Sequence, residues 1–249
     1  MLVRQADNVL SILEFFAERQ GPATVADMTA HFGWPRSSTF NMVATLVERG
    51  YLYEPRARGA YYPTARWQVM AQAVAAAEPV PVELIRLLDR LAEEIGETVW
   101  IAGAGGLDVV MLEVRESPQL IRYAARPGMR LPIHVTGSGQ ALMSRMSGAE
   151  REALLKRIRY VRYNRNTPMD AETVRGQIAQ SQARGWFMSS SAYSSDLGGV
   201  ALPVKRGERH FAVTAAGPEA RVLPRMEEIA AMLRRGIEEE CGAQALTAA

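Results

Sequence analysis

Val9, Ile12, Leu13 and Phe16 recur at the spacing of one helix face, and Gly21-Pro22 ends that run. Thr24 with Asp27 three residues later predicts a capped second helix through Met28 and His31, Asp standing where Glu is usual. Gly33 then makes a tight turn, and Pro35 sits where a helix can start without losing a needed N–H. The third helix carries Phe40, Val43, Leu46 and Val47 on its apolar face and stops at Gly50. From there the period switches. Tyr51-Leu52-Tyr53 and Ala60-Tyr61-Tyr62 read as strands, with Pro55 to Gly59 turning between them. Three helices and a hairpin make the layout of a winged helix-turn-helix over residues 1–65. An alanine-rich helix from Arg66 to Ala77 follows, broken by Glu78-Pro79-Val80-Pro81, which makes 66–81 a linker.

Residues 82–249 read as a second, α+β domain. A helix over Val82–Ile95 puts Leu84, Leu87, Leu88 and Leu91 on one side. Strand-like runs fall at Thr98–Ala102, Val109–Val114, Gln119–Ala125, Val200–Val204 and Phe211–Ala215. Helical stretches cover Ser138–Met146, Glu150–Ile158, Asp170–Arg184 and Leu223–Glu240. This order predicts an antiparallel sheet with helices on its faces. Gly103-Ala104-Gly105-Gly106 lacks the spacing of a phosphate loop and fits a hairpin turn.

Composition narrows the classes. Of 249 residues, 48% are hydrophobic and 22% charged, which is a core-forming balance rather than a disordered one. No apolar run is long enough to span a membrane, and residues 1–8 lack a secretory signal layout, so a cytoplasmic protein is expected. A single cysteine, Cys241, and the scattered His31, His134 and His210 predict neither a disulfide nor a metal site, and no cofactor. His134 reads as a structural hydrogen-bonder, Cys241 as packing, and Asp196 as a turn residue. Net charge is only +2, yet all 29 basic residues except Lys156 and Lys205 are arginine. Arginine suits bidentate contacts to phosphate, carboxylate or guanine; a genome-wide codon bias gives the same count. The cluster Arg151, Lys156, Arg157, Arg159, Arg162 and Arg165 fits a solvated face as well as an anion-binding one.

In a helix-turn-helix the second helix of the pair enters the major groove and its N-terminal residues face the bases. Here that end offers Arg36, Ser37, Ser38, Thr39 and Asn41, with Thr24 opening the preceding helix. All can hydrogen-bond, and Asn can read adenine in bidentate fashion. An ordinary capped surface helix fits the same spacing. Arg56 and Arg58 at the hairpin tip favour DNA, because a wing needs cations where it meets the backbone.

Gly33-Trp34-Pro35-Arg36-Ser37-Ser38-Thr39 and Ala44-Thr45-Leu46-Val47-Glu48-Arg49-Gly50-Tyr51-Leu52 resemble the winged helix of IclR-family transcriptional regulators. Further blocks in family order are Gly96-Glu97-Thr98-Val99, Gly128 to Ala141, Arg184-Gly185-Trp186, Ala201-Leu202-Pro203-Val204 and Gly217-Pro218. The resemblance covers nearly the whole chain. It implies a homodimer, or a tetramer of such dimers, that binds a near-palindromic operator on double-stranded DNA. Its second domain is then a GAF-like sensor for a small organic acid. Asn41 stands where Arg is common in the family, and Ala60 and Tyr62 replace wing arginines. The family's ligand contacts correspond to Leu120, Tyr123, Leu131, Gly137, Ser138, Ser189, Ser190, Gly199, Thr214 and Ala216. Ser190, Gly199 and Ala216 replace an acid, a Cys and a Ser. These changes predict a roomier, more apolar pocket suited to an aromatic carboxylate, held by free N–H groups at Gly137-Ser138-Gly139.

Arg122 and Arg126 are candidates to meet the carboxylate, against the plainer reading that both are surface residues. Two alternatives to a ligand-responsive regulator stand. One is a constitutive DNA-binding protein whose sensor domain only oligomerises. The other is an enzyme on a GAF-like fold, for which no nucleophile elbow, zinc signature or local Cys-His pair is present.

Overall fold

The computed structural model describes residues 3–56, 59–77 and 80–246, with Arg56 described for its backbone alone. The chain divides into two compact units between residues 79 and 80. No helix among the described residues is long and apolar enough to cross a membrane.

In the first unit, α1 (Arg4–Arg19) buries Ile12, Phe15 and Phe16, and ends with Gln20 in the left-handed region. The short strand β1 (Ala23–Thr24) leads into α2 (Val25–Phe32). Thr24 and Asp27 form the reciprocal capping box: Asp27 N–H donates to Thr24 Oγ1 at 3.1 Å, and Thr24 N–H to Asp27 Oδ2 at 2.8 Å. α3 (Arg36–Glu48) closes in a left-handed turn. Gly50 N–H returns to Val47 O and Tyr51 N–H to Leu46 O, a turn that needs positive φ at Gly50 (73°). β2 (Leu52–Arg56) and β3 (Ala60–Pro63) form the hairpin, and β1 joins β3 to give a three-stranded sheet. The core is Ile12, Phe15, Phe16, Met28, Val43, Leu46 and Leu52. Phe40 and Val47 do not join it, and Thr39 does. α4 (Arg66–Ala77) is anchored at its first turn, where Trp67 Nε1 donates to Tyr51 O at 3.0 Å. It buries no residue beyond that turn and leaves Val69, Met70 and Val74 exposed.

The second unit is built on a six-stranded antiparallel sheet in the order β6-β5-β4-β9-β8-β7. Its strands are β4 (Thr98–Gly105), β5 (Asp108–Arg115), β6 (Arg130–Pro132), β7 (Phe187–Ser190), β8 (Leu197–Arg206) and β9 (Arg209–Pro218). Both faces are covered. Val99, Ile101, Val200, Leu202, Val213 and Ala215 pack on α5 (Val82–Ile95) and α10 (Met226–Cys241). Trp100, Ala102, Ala201, Ala212 and Ala216 face α6 (Gly137–Met143) and α8 (Ala171–Arg184), with α7 (Gly148–Arg157) outside them. Alternate residues thus go to opposite faces, and both sets are apolar. A four-residue helix, α9 (Glu219–Val222), follows β9.

Residues 119–125 are not a strand. They pair with no strand of the sheet, whose β5 is joined by β4 along its length and by β6 over Asp108–Val110. Two of the segment's carbonyls are taken by side chains instead: Thr98 Oγ1 donates to Tyr123 O at 2.7 Å and Arg221 Nη2 to Ile121 O at 2.9 Å.

α6 sits directly on the sheet and its N-terminal bend is tight. A Cβ on Gly139 would overlap the backbone carbonyl of Ile133. Gly139→Ala is therefore expected to lower stability by about 1–3 kcal/mol despite alanine's better helix propensity. Chemical denaturation monitored by far-UV circular dichroism would read this, and an unchanged midpoint would refute the packing argument.

Candidate functional site

On α3 the buried residues Thr39, Val43 and Leu46 fix which side faces outward. At the helical period the side opposite them carries Ser37, Asn41 and Ala44, flanked by Arg36 and Phe40 on one edge and Ser38 on the other. Arg36, Ser37, Ser38 and Asn41 are exposed as a group reading a groove requires. Thr39 corrects the expectation. It is fully buried, and its hydroxyl donates to Pro35 O at 3.2 Å, one turn back. Phe40, expected in the core, is 53% exposed beside Arg36, where it can meet a thymine methyl. Thr24 spends its side chain on the α2 cap, with Oγ1 also donating to Asp27 Oδ2. Of the wing arginines, the side chain of Arg56 and all of Arg58 lie outside the described residues.

A groove of about 750 Å³ lies in this unit between α1 and α3, lined by Asn8, Trp34, Asn41, Arg49 and Trp67 among others. None of its lining residues holds a buried polar atom without a partner.

The second unit contains a smaller, more enclosed cavity with the opposite character. Its floor is two rows of the sheet, set by register: Ser189–Gly199–Ala216 across β7, β8 and β9, and Thr214 opposite Trp100 across β9 and β4. Val135, Thr136, Gly137 and Ser138 at the start of α6 lie above, and Leu131 closes one side. Tyr123 enters from the loop after β5, and Ala192, Tyr193 and Ser194 enter from the loop after β7. That second loop holds Ser191 and Asp196 at φ 45° and 58°, left-handed values that non-glycine residues adopt at a cost.

Three of the residues lining this cavity carry a buried side-chain atom without a hydrogen-bond partner: Trp100 Nε1, Ser138 Oγ and Thr214 Oγ1. Groups of this kind are rare in folded interiors, because each forfeits its interaction with water. Burial, and secondarily Tyr193 alongside, pushes the Tyr123 hydroxyl up to about 12, so it stays protonated and serves as a donor. No lining side chain is cationic. α6 has only seven residues, and Thr136 Oγ1 already accepts from Gly139 N–H at 3.0 Å. The N–H groups expected to hold a carboxylate are fewer than the sequence implied.

Eight of the ten carried-over residues line this space: Tyr123, Leu131, Gly137, Ser138, Ser189, Gly199, Thr214 and Ala216. Two do not. Leu120 is 94% exposed, because its segment is a loop and not a strand. Ser190 Oγ donates to Glu219 Oε1 at 2.6 Å, on the far side of β7 from Ser189. Arg122 is paired with Glu116 at 2.9 Å and Arg126 is exposed; neither enters. The expectation of a roomy pocket is also corrected. The cavity measures about 30 Å³, because Trp100, Tyr123 and Tyr193 occupy it. Trp100 escaped the sequence reading: only the β4–β9 register places it next to Thr214.

Residues 73–239 match the family model described as the bacterial transcriptional regulator IclR C-terminal domain, and residues 5–56 match the IclR helix-turn-helix domain. The chain belongs to the IclR family. It is thus a DNA-binding transcriptional regulator with an effector-binding C-terminal domain, not an enzyme. The acetate operon repressor of Salmonella typhimurium is 25% identical to it, over 92% of this chain and 86% of the repressor. IclR of Thermotoga maritima superposes with a TM-score of 0.78 at 19% identity, covering 95% of this chain and 97% of that one. An IclR homologue from Microbacterium hydrocarbonoxydans, complexed with 4-hydroxybenzoate, gives 0.64 at 21% identity, covering 94% and 99%.

One group beside the regulator's cavity departs from expectation and has a measurable consequence. His134 is buried against Tyr160, ring centroids 5.2 Å apart, with neither ring nitrogen hydrogen-bonded, so it is not the structural hydrogen-bonder foreseen. Burial holds its pKa below the ordinary 6.5, and burial next to Arg145 and Lys205 lowers that of His210 as well. The unfolded chain therefore takes up protons first as pH falls. Stability is full above about pH 6.5 and is lost as pH drops through the depressed native values. His134→Phe keeps an aromatic ring against Tyr160 and removes one of the two groups. Its urea midpoint is expected to fall less than that of the wild type between about pH 7 and about pH 5; parallel declines would clear His134.

Proposed function

We propose that this regulator is a homodimer that reads a near-palindromic operator and is tuned by an aromatic carboxylate bound in the cavity beneath α6. The observation that carries the reading is the trio of unpartnered buried atoms, Trp100 Nε1, Ser138 Oγ and Thr214 Oγ1, around one aromatic-lined space. An apolar pocket with a few converging polar groups is the usual form of a small-molecule site. The 4-hydroxybenzoate bound to the M. hydrocarbonoxydans homologue supports the ligand class. Benzene occupies a cavity of about 150 Å³, so a ring enters here only if Tyr123 or Tyr193 swings aside. Both belong to loops, which suits them to that motion. The exposed Val69, Met70 and Val74 of α4 supply an apolar face for a second copy.

A thermal-shift screen tests the effector directly. An aryl carboxylate at a hundred times its dissociation constant is expected to add about 2.7 kcal/mol to the native state, where pyruvate and glyoxylate add nothing. Silence from every aryl acid would overturn the aromatic carboxylate, leaving a second domain that oligomerises or takes a different effector.

For DNA, α3 divides its residues by position. Asn41 faces outward and Arg36 lies at the edge. Asn41→Ala is expected to weaken binding to a selected operator by about 1–3 kcal/mol and leave random DNA nearly unaffected. Arg36→Ala should weaken both alike and reduce the salt slope by about one. Equal losses on both DNAs for Asn41→Ala would remove it from base reading.

A further inference from the structure

We propose that Trp100 is the specificity-determining residue of the effector cavity. Its indole N–H, with the Thr214 hydroxyl beside it, selects aryl acids that carry a second oxygen on the ring. The inference rests on the reading that the cavity takes an aryl acid, and adds which of them it prefers.

Trp100 and Thr214 are directly opposite each other on β4 and β9, so both side chains rise from the same face of the sheet. Both are buried, at 3% exposure, and both border the cavity. Neither bonds the other, and neither bonds anything else. An indole N–H is a donor only, so no rearrangement of protons can satisfy it from within. Ser138 Oγ, the third unpartnered atom, belongs to α6, across the cavity from the sheet. The lining residues that carry an unpartnered polar atom thus lie on two sides of the cavity, with the apolar residues Leu131 and Ala216 also in the lining. A flat ring with an oxygen at each end meets that pattern: the carboxylate toward Ser138, the second oxygen toward Trp100 and Thr214. A ring bearing only a carboxylate leaves the sheet pair unsatisfied. A site built to hydrogen-bond an oxygen discriminates strongly against the analogue that lacks it, because the buried donor then stays unpaired.

The experiment compares 3- and 4-hydroxybenzoate with 3- and 4-methylbenzoate, which have nearly the same shape, by titration calorimetry on the full chain. The wild type is expected to favour at least one hydroxybenzoate over its methyl counterpart by about tenfold or more. Trp100→Phe keeps an aromatic ring and removes the N–H. It is expected to show a preference of no more than about twofold, the ratio of the two affinities being the readout. Thr214→Val should reduce the preference in the same direction. A preference that survives Trp100→Phe overturns the assignment, as does a wild type that binds both classes equally; in either case the aryl-acid reading stands. A wild type that binds none of the four overturns both. Should Trp100→Phe fail to fold, the indole ¹⁵N–¹H resonance of Trp100 in the wild type decides. It must move on adding a hydroxybenzoate and stay nearly fixed with the methyl isostere; equal movement refutes the proposal.

Discussion

The bidentate pair between Arg221 and Glu97 fastens one of the two loops that cover the cavity beneath α6. Arg221 Nε lies 2.5 Å from one carboxylate oxygen and Nη2 lies 2.8 Å from the other, and Glu97 is nearly wholly buried. Removing Arg221 leaves the buried Glu97 carboxylate without its partner, which costs more than an exposed ion pair contributes. The same guanidinium reaches Ile121 O, in the loop that delivers Tyr123. Two residues earlier, Glu219 accepts from Ser190 Oγ and its own N–H donates to Asp196 O, at the end of the loop that delivers Tyr193. The four residues of α9 thereby tie both covering loops to the end of the sheet where Glu97 precedes β4. Neither loop has a strand partner of its own to fix it there.

The sheet beneath is asymmetric in side-chain size. The face toward α5 and α10 is filled with branched aliphatics such as Val99, Ile101, Leu202 and Val213. On the face toward α6 the central strands carry mostly Gly and Ala, at Ala102, Gly199, Ala201, Ala212 and Ala216, while Val109, Met111, Leu131 and Phe187 stand on the outer strands. Small residues let α6 approach the strands closely, and Trp100 is the large side chain among them. Packing so dense leaves little slack, and the cavity is what remains where a tryptophan meets a floor of glycine and alanine.

Much of this architecture is legible in the sequence because single elements carry their own signals. The leucine spacing of α5, the Thr24–Asp27 cap and the left-handed stop at Gly50 are local. The failures come where tertiary partners decide. Gln119–Ala125 has the composition of a strand, yet it joins no ladder, and Thr98 and Arg221 take two of its carbonyls. β7 is too short and too rich in serine to stand out by pattern; only its pairing with β8 makes it a strand. On α3 an apolar-face reading placed Phe40 inward and left Thr39 out. The helix turns the other way because Thr39 can satisfy its hydroxyl on Pro35 O within the helix, and so can be buried. Carrying the family's contacts over by position found most of the cavity but missed Trp100, the residue that differs most in size from its surroundings.

A space of about 30 Å³ cannot accept a ligand by rigid insertion. Any effector with a ring must first displace Tyr123 or Tyr193, and each is fixed to a loop whose anchor is α9. On the proposed reading, a shift of either loop loads the contacts that Arg221 and Glu219 make with it. That is the physical requirement for regulation: a ligand shifts an equilibrium only by its difference in affinity between two arrangements. On the same proposed reading the arrangement described excludes a ring, which makes occupancy and loop position two measures of one equilibrium.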